Sequence, residues 1–378
     1  MQRKITVVVC VVLVVVAGVS LFLAVRDAGF VQAPLKIGVL LPLTGGLAIY
    51  GEPAQKVAVL AVEDINDAGG VGGRRIEAEF EDHRCDPKTA VSVFQELADV
   101  KRVKIFASVA CSGTVLAIAP ILESHGAFLV GTNVTTPKIT GVSPYVFRNW
   151  ATDATESRLF ADEIGRRGYR TVGALYEETD YARGLVRSLE EFLGGSEARV
   201  ASESFSPGAT DVRTQLLKLQ SQKPDAVFLS PQTVASGHVI LRQMRELGFA
   251  PKMLFVNDNI LRAPELLAAY GAVLEGAVSA DYIIPQSAQG GAFLERYRAR
   301  HGAECTQTNL CLAMYDAVRM LAEAMGKHGD DVEAVREYLE AVHYEGISGE
   351  VRFDEQHDRA SASYSLFTIK KGKAVLGE

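Results

Sequence analysis

Among the side chains whose type and setting could do chemistry, Ser112 comes first: it stands between Cys111 and Gly113, in a turn of small residues. A serine attacks only when a base takes its proton, and nothing local offers one. The spacings that mark other chemistries are missing. No G-x-x-x-x-G-K-[ST], H-E-x-x-H or G-x-S-x-G occurs, and the seven His are scattered. Gly69, Gly70, Gly72 and Gly73 follow a helical stretch rather than a strand, so they read as a C-cap and turn, not as a dinucleotide fingerprint. No catalysis, cofactor or metal is expected, and the glycine and hydroxyl residues of these loops suit holding a ligand better than reacting with it.

Of the five cysteines, Cys10 lies in an apolar run and reads as a plain apolar residue. That run, Ile5 to Val25, follows Arg3 and Lys4 and is an export signal, with the basic residues left in the cytoplasm. It would reach about 30 Å as a helix, enough to span a bilayer, so residues 1–33 are either a cleaved signal peptide or an uncleaved membrane anchor. Everything beyond is expected outside the cytoplasm, where disulfides are permitted. Cys85, Cys111, Cys305 and Cys311 then read as disulfide-forming. No C-x-x-C occurs, and His83 and His301 do not complete a zinc set.

The elements that must position these residues follow from patterning. The chain of 378 residues is 48% hydrophobic, enough for two or three buried cores. Its 39 Lys and Arg against 46 Asp and Glu leave a formal charge of −7 without a basic cluster, which excludes a nucleic-acid footprint. From Lys36 on, short apolar runs alternate with amphipathic stretches of helical length, the pattern of an α/β protein with parallel sheets covered by helices. Strands are predicted at Lys36–Leu41, Ile76–Glu81, Val103–Val109 and Phe128–Gly131. A second series follows at Thr171–Tyr176, Val200–Phe205, Ala226–Ser230 and Met253–Val256. Two doubly wound units are implied, followed by helices near Phe293 and Leu312 and a hairpin-like end at Gly349 to Ile369. Ligands of such sheets bind beyond the carboxyl ends of the strands, which directs attention to the loops after residues 41, 109, 131, 176, 230 and 256.

The residues on those loops are similar, as a set, to a known family. Lys36-Ile37-Gly38-Val39 leads to Pro42-Leu43-Thr44-Gly45 and Tyr50-Gly51; Asp64-Ile65-Asn66 precedes Gly69-Gly70-Val71; Cys85-Asp86-Pro87 opens the next helix. Then come Cys111-Ser112, Thr132-Asn133-Val134-Thr135-Thr136-Pro137, Phe147-Arg148 and Asp180-Tyr181-Ala182-Arg183-Gly184. Together they resemble the leucine/isoleucine/valine-binding proteins, the type I periplasmic receptors of branched-chain amino acid ABC transporters. The resemblance covers roughly residues 35 to 370. It implies two three-layer lobes joined by crossover hinge strands near residues 152, 281 and 353, with lobe 1 built from residues 34–152 and 282–353, and lobe 2 from 153–281 and 354–378. A monomer that passes its ligand to a permease is implied as well.

Carried across residue by residue, the resemblance assigns Ser112 and Thr135 as hydroxyls on the ligand's carboxylate and ammonium, and Asn133 as a main-chain contributor. Tyr50 and Tyr181 become aromatic walls, and Asp258 the acidic partner of the ammonium. Gln232 stands where the near relatives have an aromatic, and Asp258 is shorter than the usual Glu; both change the pocket's polarity and size. Receptors for amides, urea and aromatic acids share this superfamily, so a membrane-anchored sensor for such a ligand is the alternative. The resemblance also implies a disulfide between Cys85 and Cys111. Cys305 and Cys311 lie outside the family pattern and are close enough in sequence for a local bridge. Trp150 is assigned either to the hinge or to packing.

Overall fold

The computed structural model describes residues 32–285 and 287–377. The expectation for residues 1–33 therefore falls almost wholly outside the described residues. Among those described, no helix is long and apolar enough to cross a membrane.

Two sheets organise the chain. The first contains β1 (Leu35–Leu41), β2 (Ile76–Asp82), β3 (Ile105–Val109), β4 (Phe128–Thr132) and β5 (Val146–Arg148), all parallel, in the order β2-β1-β3-β4-β5. The second holds β6 (Thr171–Glu177), β7 (Arg199–Phe205), β8 (Ala226–Ser230), β9 (Met253–Val256) and β10 (Val278–Tyr282) in parallel register. A separate hairpin pairs β11 (Tyr344–Gly346) with β12 (Gly349–Val351). β13 (Tyr364–Lys370) and β14 (Lys373–Leu376) then extend the second sheet antiparallel beyond β10.

The central strands read as unbroken apolar runs because both faces are covered. Side chains alternate between faces, so Ile105 and Ala107 join one core while Phe106 joins another. Ala226 and Phe228 are likewise separated from Val227 and Leu229. The long helix Thr308–His328 packs along the helix Ala48–Asp67, which returns this late segment to the first sheet's side.

The hairpin expected from Gly349 to Ile369 is corrected. Those residues belong to two hairpins: Gly349–Val351 pairs backward with β11, and Tyr364–Lys370 pairs forward with β14. Lys371 and Gly372, with φ of 50° and 69°, form the tight turn of the second, the left-handed pair that matches strand twist. The three-residue β5 was too short for periodicity to reveal.

Candidate functional site

Each element of the site begins where a parallel strand ends. Beyond β1, the loop 42–47 leads into the helix Ala48–Asp67, whose first turn carries Tyr50. A Cβ on Gly51 would lie 2.0 Å from the Pro42 carbonyl oxygen, so only glycine lets that helix close on the loop. Beyond β3, Ala110 and Cys111 both adopt φ of 56° before Ser112 starts the next helix. Non-glycine residues enter this region at a cost of about 1–2 kcal/mol each, so the turn is held by its surroundings. The Cys85–Cys111 disulfide is one restraint, with Cα atoms 5.3 Å apart.

Beyond β4, Asn133 also takes φ of 56°, and the loop folds back onto Ser112. The Ser112 Oγ accepts from the amides of Thr135 at 3.1 Å and Thr136 at 3.2 Å. Its own proton remains free to donate. Beneath this loop the fully buried Arg148 donates to the carbonyls of Thr135 and Thr136 at 3.1 and 2.9 Å, and pairs with Asp358. Trp150 packs rather than lining the site: it is fully buried, 4.4 Å from the Tyr282 ring centroid.

The second sheet supplies the facing wall. Thr179 caps the helix Asp180–Leu193 through its hydroxyl and so places Tyr181. The Tyr181 hydroxyl donates to Asp258 Oδ1 at 2.7 Å and accepts from Asn257 Nδ2 at 3.1 Å. Asp258 Oδ2 meets Arg262 at 3.1 Å, one helical turn on, and Arg262 also bonds Asp281. Burial first, then the charge of Asp258, raises the Tyr181 and Tyr50 hydroxyls, so both remain protonated donors. Gln232 follows β8, its amide held by Glu177 at 2.8 Å.

All seven sequence-assigned residues, Tyr50, Ser112, Asn133, Thr135, Tyr181, Gln232 and Asp258, line one cavity between the two sheets, together with Leu47, Ala110, Cys111 and Asn259. The space is small, about 330 Å³ with its mouth included. The walls therefore stand close together. Tyr50 Oη donates to Asn259 Oδ1 across the gap at 2.6 Å, and Lys138 pairs with Asp180 at 3.2 Å. Gly184 permits this approach, since a Cβ there would meet Thr136 Oγ1 at 2.3 Å.

Sequence reasoning missed Asn259 and the buried charges behind the second wall. Arg262 stands four residues after Asp258, a helical spacing that could have signalled it. Asp153 and Glu156 open the helix Asp153–Arg166 and are fully buried; among the described residues neither Glu156 carboxylate oxygen has a hydrogen-bond partner, and Asp153 has only the nearby Thr135 hydroxyl. Burial, then the neighbouring Asp258, raises both carboxyls well above the ordinary range. A second disulfide, Cys305–Cys311, ties the segment before the helix Thr308–His328 to that helix's first turn. Among the described residues no group of three or more His, Cys, Asp or Glu is placed to hold a metal ion.

Comparison with known proteins agrees with this arrangement. The family described as "Periplasmic binding protein" matches residues 34–374. The leucine-, isoleucine-, valine-, threonine- and alanine-binding protein of Pseudomonas aeruginosa is 26% identical, over 93% of this chain and 95% of that protein. The leucine-binding protein LivK of Thermotoga maritima superposes with a TM-score of 0.79 at 26% identity, covering 91% of this chain and 98% of the other. LivJ of Streptococcus pneumoniae, solved with isoleucine, gives 0.74 at 24% identity, covering 91% and 100%. With two α/β sheets facing each other across a polar cavity at their strand ends, and a match spanning nearly the whole described chain, this protein belongs to the periplasmic binding protein family, with the type I fold of the leucine/isoleucine/valine-binding proteins.

Proposed function

We propose that the protein is an extracytoplasmic receptor that captures an α-amino acid between two closing lobes and delivers it to the permease of an ABC transporter, without transforming it. The observation that carries this reading is the asymmetry of one narrow cavity: hydroxyl donors Ser112 and Thr135 on one wall, the Asp258 carboxylate on the other. A zwitterionic headgroup presents the complementary pair, a carboxylate for the hydroxyls and an ammonium for Asp258 and the tyrosine rings. Branched-chain amino acids, named for the relatives, are the reference ligands. The lobes consist of residues 34–152 with 282–353 and residues 153–281 with 354–378, and the crossings near 152, 281 and 353 act as hinges. The receptor works as a monomer on the outer side of the membrane, released or held by its N-terminal segment.

The test is a thermal-shift screen of the purified chain against the amino acids. A ligand at 100 times its dissociation constant adds about 2.7 kcal/mol of stability, and the resulting rise in Tm should vanish in Ser112→Ala and Thr135→Ala. A screen in which no amino acid raises Tm contradicts the reading.

A further inference from the structure

Building on the amino-acid reading above, we infer that Asp153 is a positioning residue for Thr135: a proton held on its buried carboxyl turns the Thr135 hydroxyl towards the ligand's carboxylate, so that capture of an amino acid takes up a proton. Little of Thr135 is left free to move. Its amide donates to Ser112 Oγ at 3.1 Å, and its carbonyl accepts from Arg148 at 3.1 Å and from the Asp153 amide at 2.8 Å. Only the hydroxyl remains, on a residue that lines the cavity. Beside it lies the fully buried Asp153 carboxyl, for which this hydroxyl is the one partner nearby among the described residues.

A hydroxyl has one hydrogen to give. Beside an ionised Asp153 that hydrogen goes to Asp153, and the Thr135 oxygen turns lone pairs towards the place of the ligand's carboxylate. Beside a protonated Asp153 the acid donates, Thr135 Oγ1 accepts, and its own hydrogen is released for the ligand. The proton comes from solvent and forms one O–H bond on Asp153; nothing else is made or broken. The surroundings favour this form. Asp153 is faced by Glu156 on its own helix, Tyr181 on the helix Asp180–Leu193, Tyr364 on β13, Asp258 and Arg148, with Asp281 and Arg262 further off beside Glu156. Burial keeps both tyrosine hydroxyls neutral, and the two cations are taken, Arg148 by Asp358 and Arg262 by Asp258 and Asp281. A buried carboxylate without a counter-charge is costly, so the proton is the cheaper answer. An ammonium beside Asp258 pulls the other way, towards proton release, and the sign of the exchange therefore decides.

Calorimetric titration of the purified full chain tests the inference, with each standard amino acid as probe and the tightest repeated in two buffers of different ionisation enthalpy. Binding should take up protons, and affinity should fall from about pH 6 to about pH 8, at most about tenfold per pH unit, the limit for one linked proton. In Asp153→Asn the carboxamide donates to Thr135 at every pH, so uptake and slope should both disappear while binding persists. Proton release, or an affinity that is flat or rises with pH, overturns the inference and leaves the amino-acid reading standing. So does a folded Asp153→Asn that keeps the slope or binds nothing. Absence of binding by every amino acid overturns both. The proton count in the unaltered chain needs no variant to fold.

Discussion

The two walls of the cavity solve different physical problems. On the first, the backbone is tied down: Ser112 Oγ accepts two amides, Arg148 holds two carbonyls, and a disulfide restrains the left-handed turn at Cys111. On the second, charge is crowded into the interior. Asp258 and Asp281 share Arg262, while behind them Asp153 and Glu156 are buried with no cationic partner among the described residues. The first wall is strained in its backbone but carries no crowded charge, the form suited to the proposed feature shared by every ligand, the carboxylate. The second is relaxed in its backbone but electrostatically incomplete, so its balance depends on what enters the cavity. On the reading proposed above, an ammonium beside Asp258 would add the positive charge this wall lacks.

The largest expected effect breaks the second wall alone. Arg262→Ala leaves Asp258 and Asp281 buried without a counter-charge and should destabilise the protein by about 3–5 kcal/mol in urea denaturation. Ser112→Ala, which removes only neutral hydrogen bonds, should cost about 1 kcal/mol. Equal losses would erase the distinction between the walls. Next, removing the first wall's restraint through Cys85→Ser with Cys111→Ser should cost about 3 kcal/mol, because the bridge joins residues 26 apart in sequence. Ligand affinity should fall with it, since Cys111 adjoins Ser112; stability lost with affinity unchanged would show that the turn holds itself.

The smallest effect sharpens the electrostatic side. Burial, more than any neighbouring charge, holds the Glu156 carboxyl above its ordinary range. Between the unfolded and the raised folded value the native state binds more protons than the unfolded chain, so this group's contribution is full below about pH 4 and is lost as pH rises through the folded value. Glu156→Gln removes that loss. Its Tm should exceed that of the unaltered protein at about pH 8, by on the order of 1 kcal/mol in stability, with the gain shrinking towards pH 5. A pH-independent difference would mean that Glu156 ionises in the fold as it does in the unfolded chain, and that burial does not raise it.

The lining of both walls was legible in the sequence, but the charges behind the second were not. The first wall is local: strand, turn and helix start lie within a few residues at Val109–Ser112 and Thr132–Thr135, so patterning and resemblance could place its hydroxyls. Tyr50, Tyr181, Gln232 and Asp258 were assigned by the resemblance, on loops that the rule of strand ends singles out. Arg262, Asp153 and Glu156 were not, because their burial is created by packing between elements far apart in the chain. Asp153 and Glu156 read as ordinary acidic residues of a helix's first turn, which is usually solvated. The misplaced hairpin has a simpler cause: two tight turns in the last 35 residues offered competing pairings, and the β10 edge selected between them.

The central claim is that each wall reads one end of the same headgroup, and dissecting the ligand tests it most directly. Whichever amino acid binds should be compared by calorimetry with its two analogues, one lacking the amino group and one lacking the carboxyl group. Both analogues should bind about a hundredfold or more weaker, the cost of leaving a desolvated charge unpaired. Ser112→Ala should then weaken the amino acid and the acid analogue while leaving the weak amine analogue unmoved. A deaminated acid that binds as tightly as the amino acid would contradict the account, because Asp258 and the charges behind it would have no part in recognition.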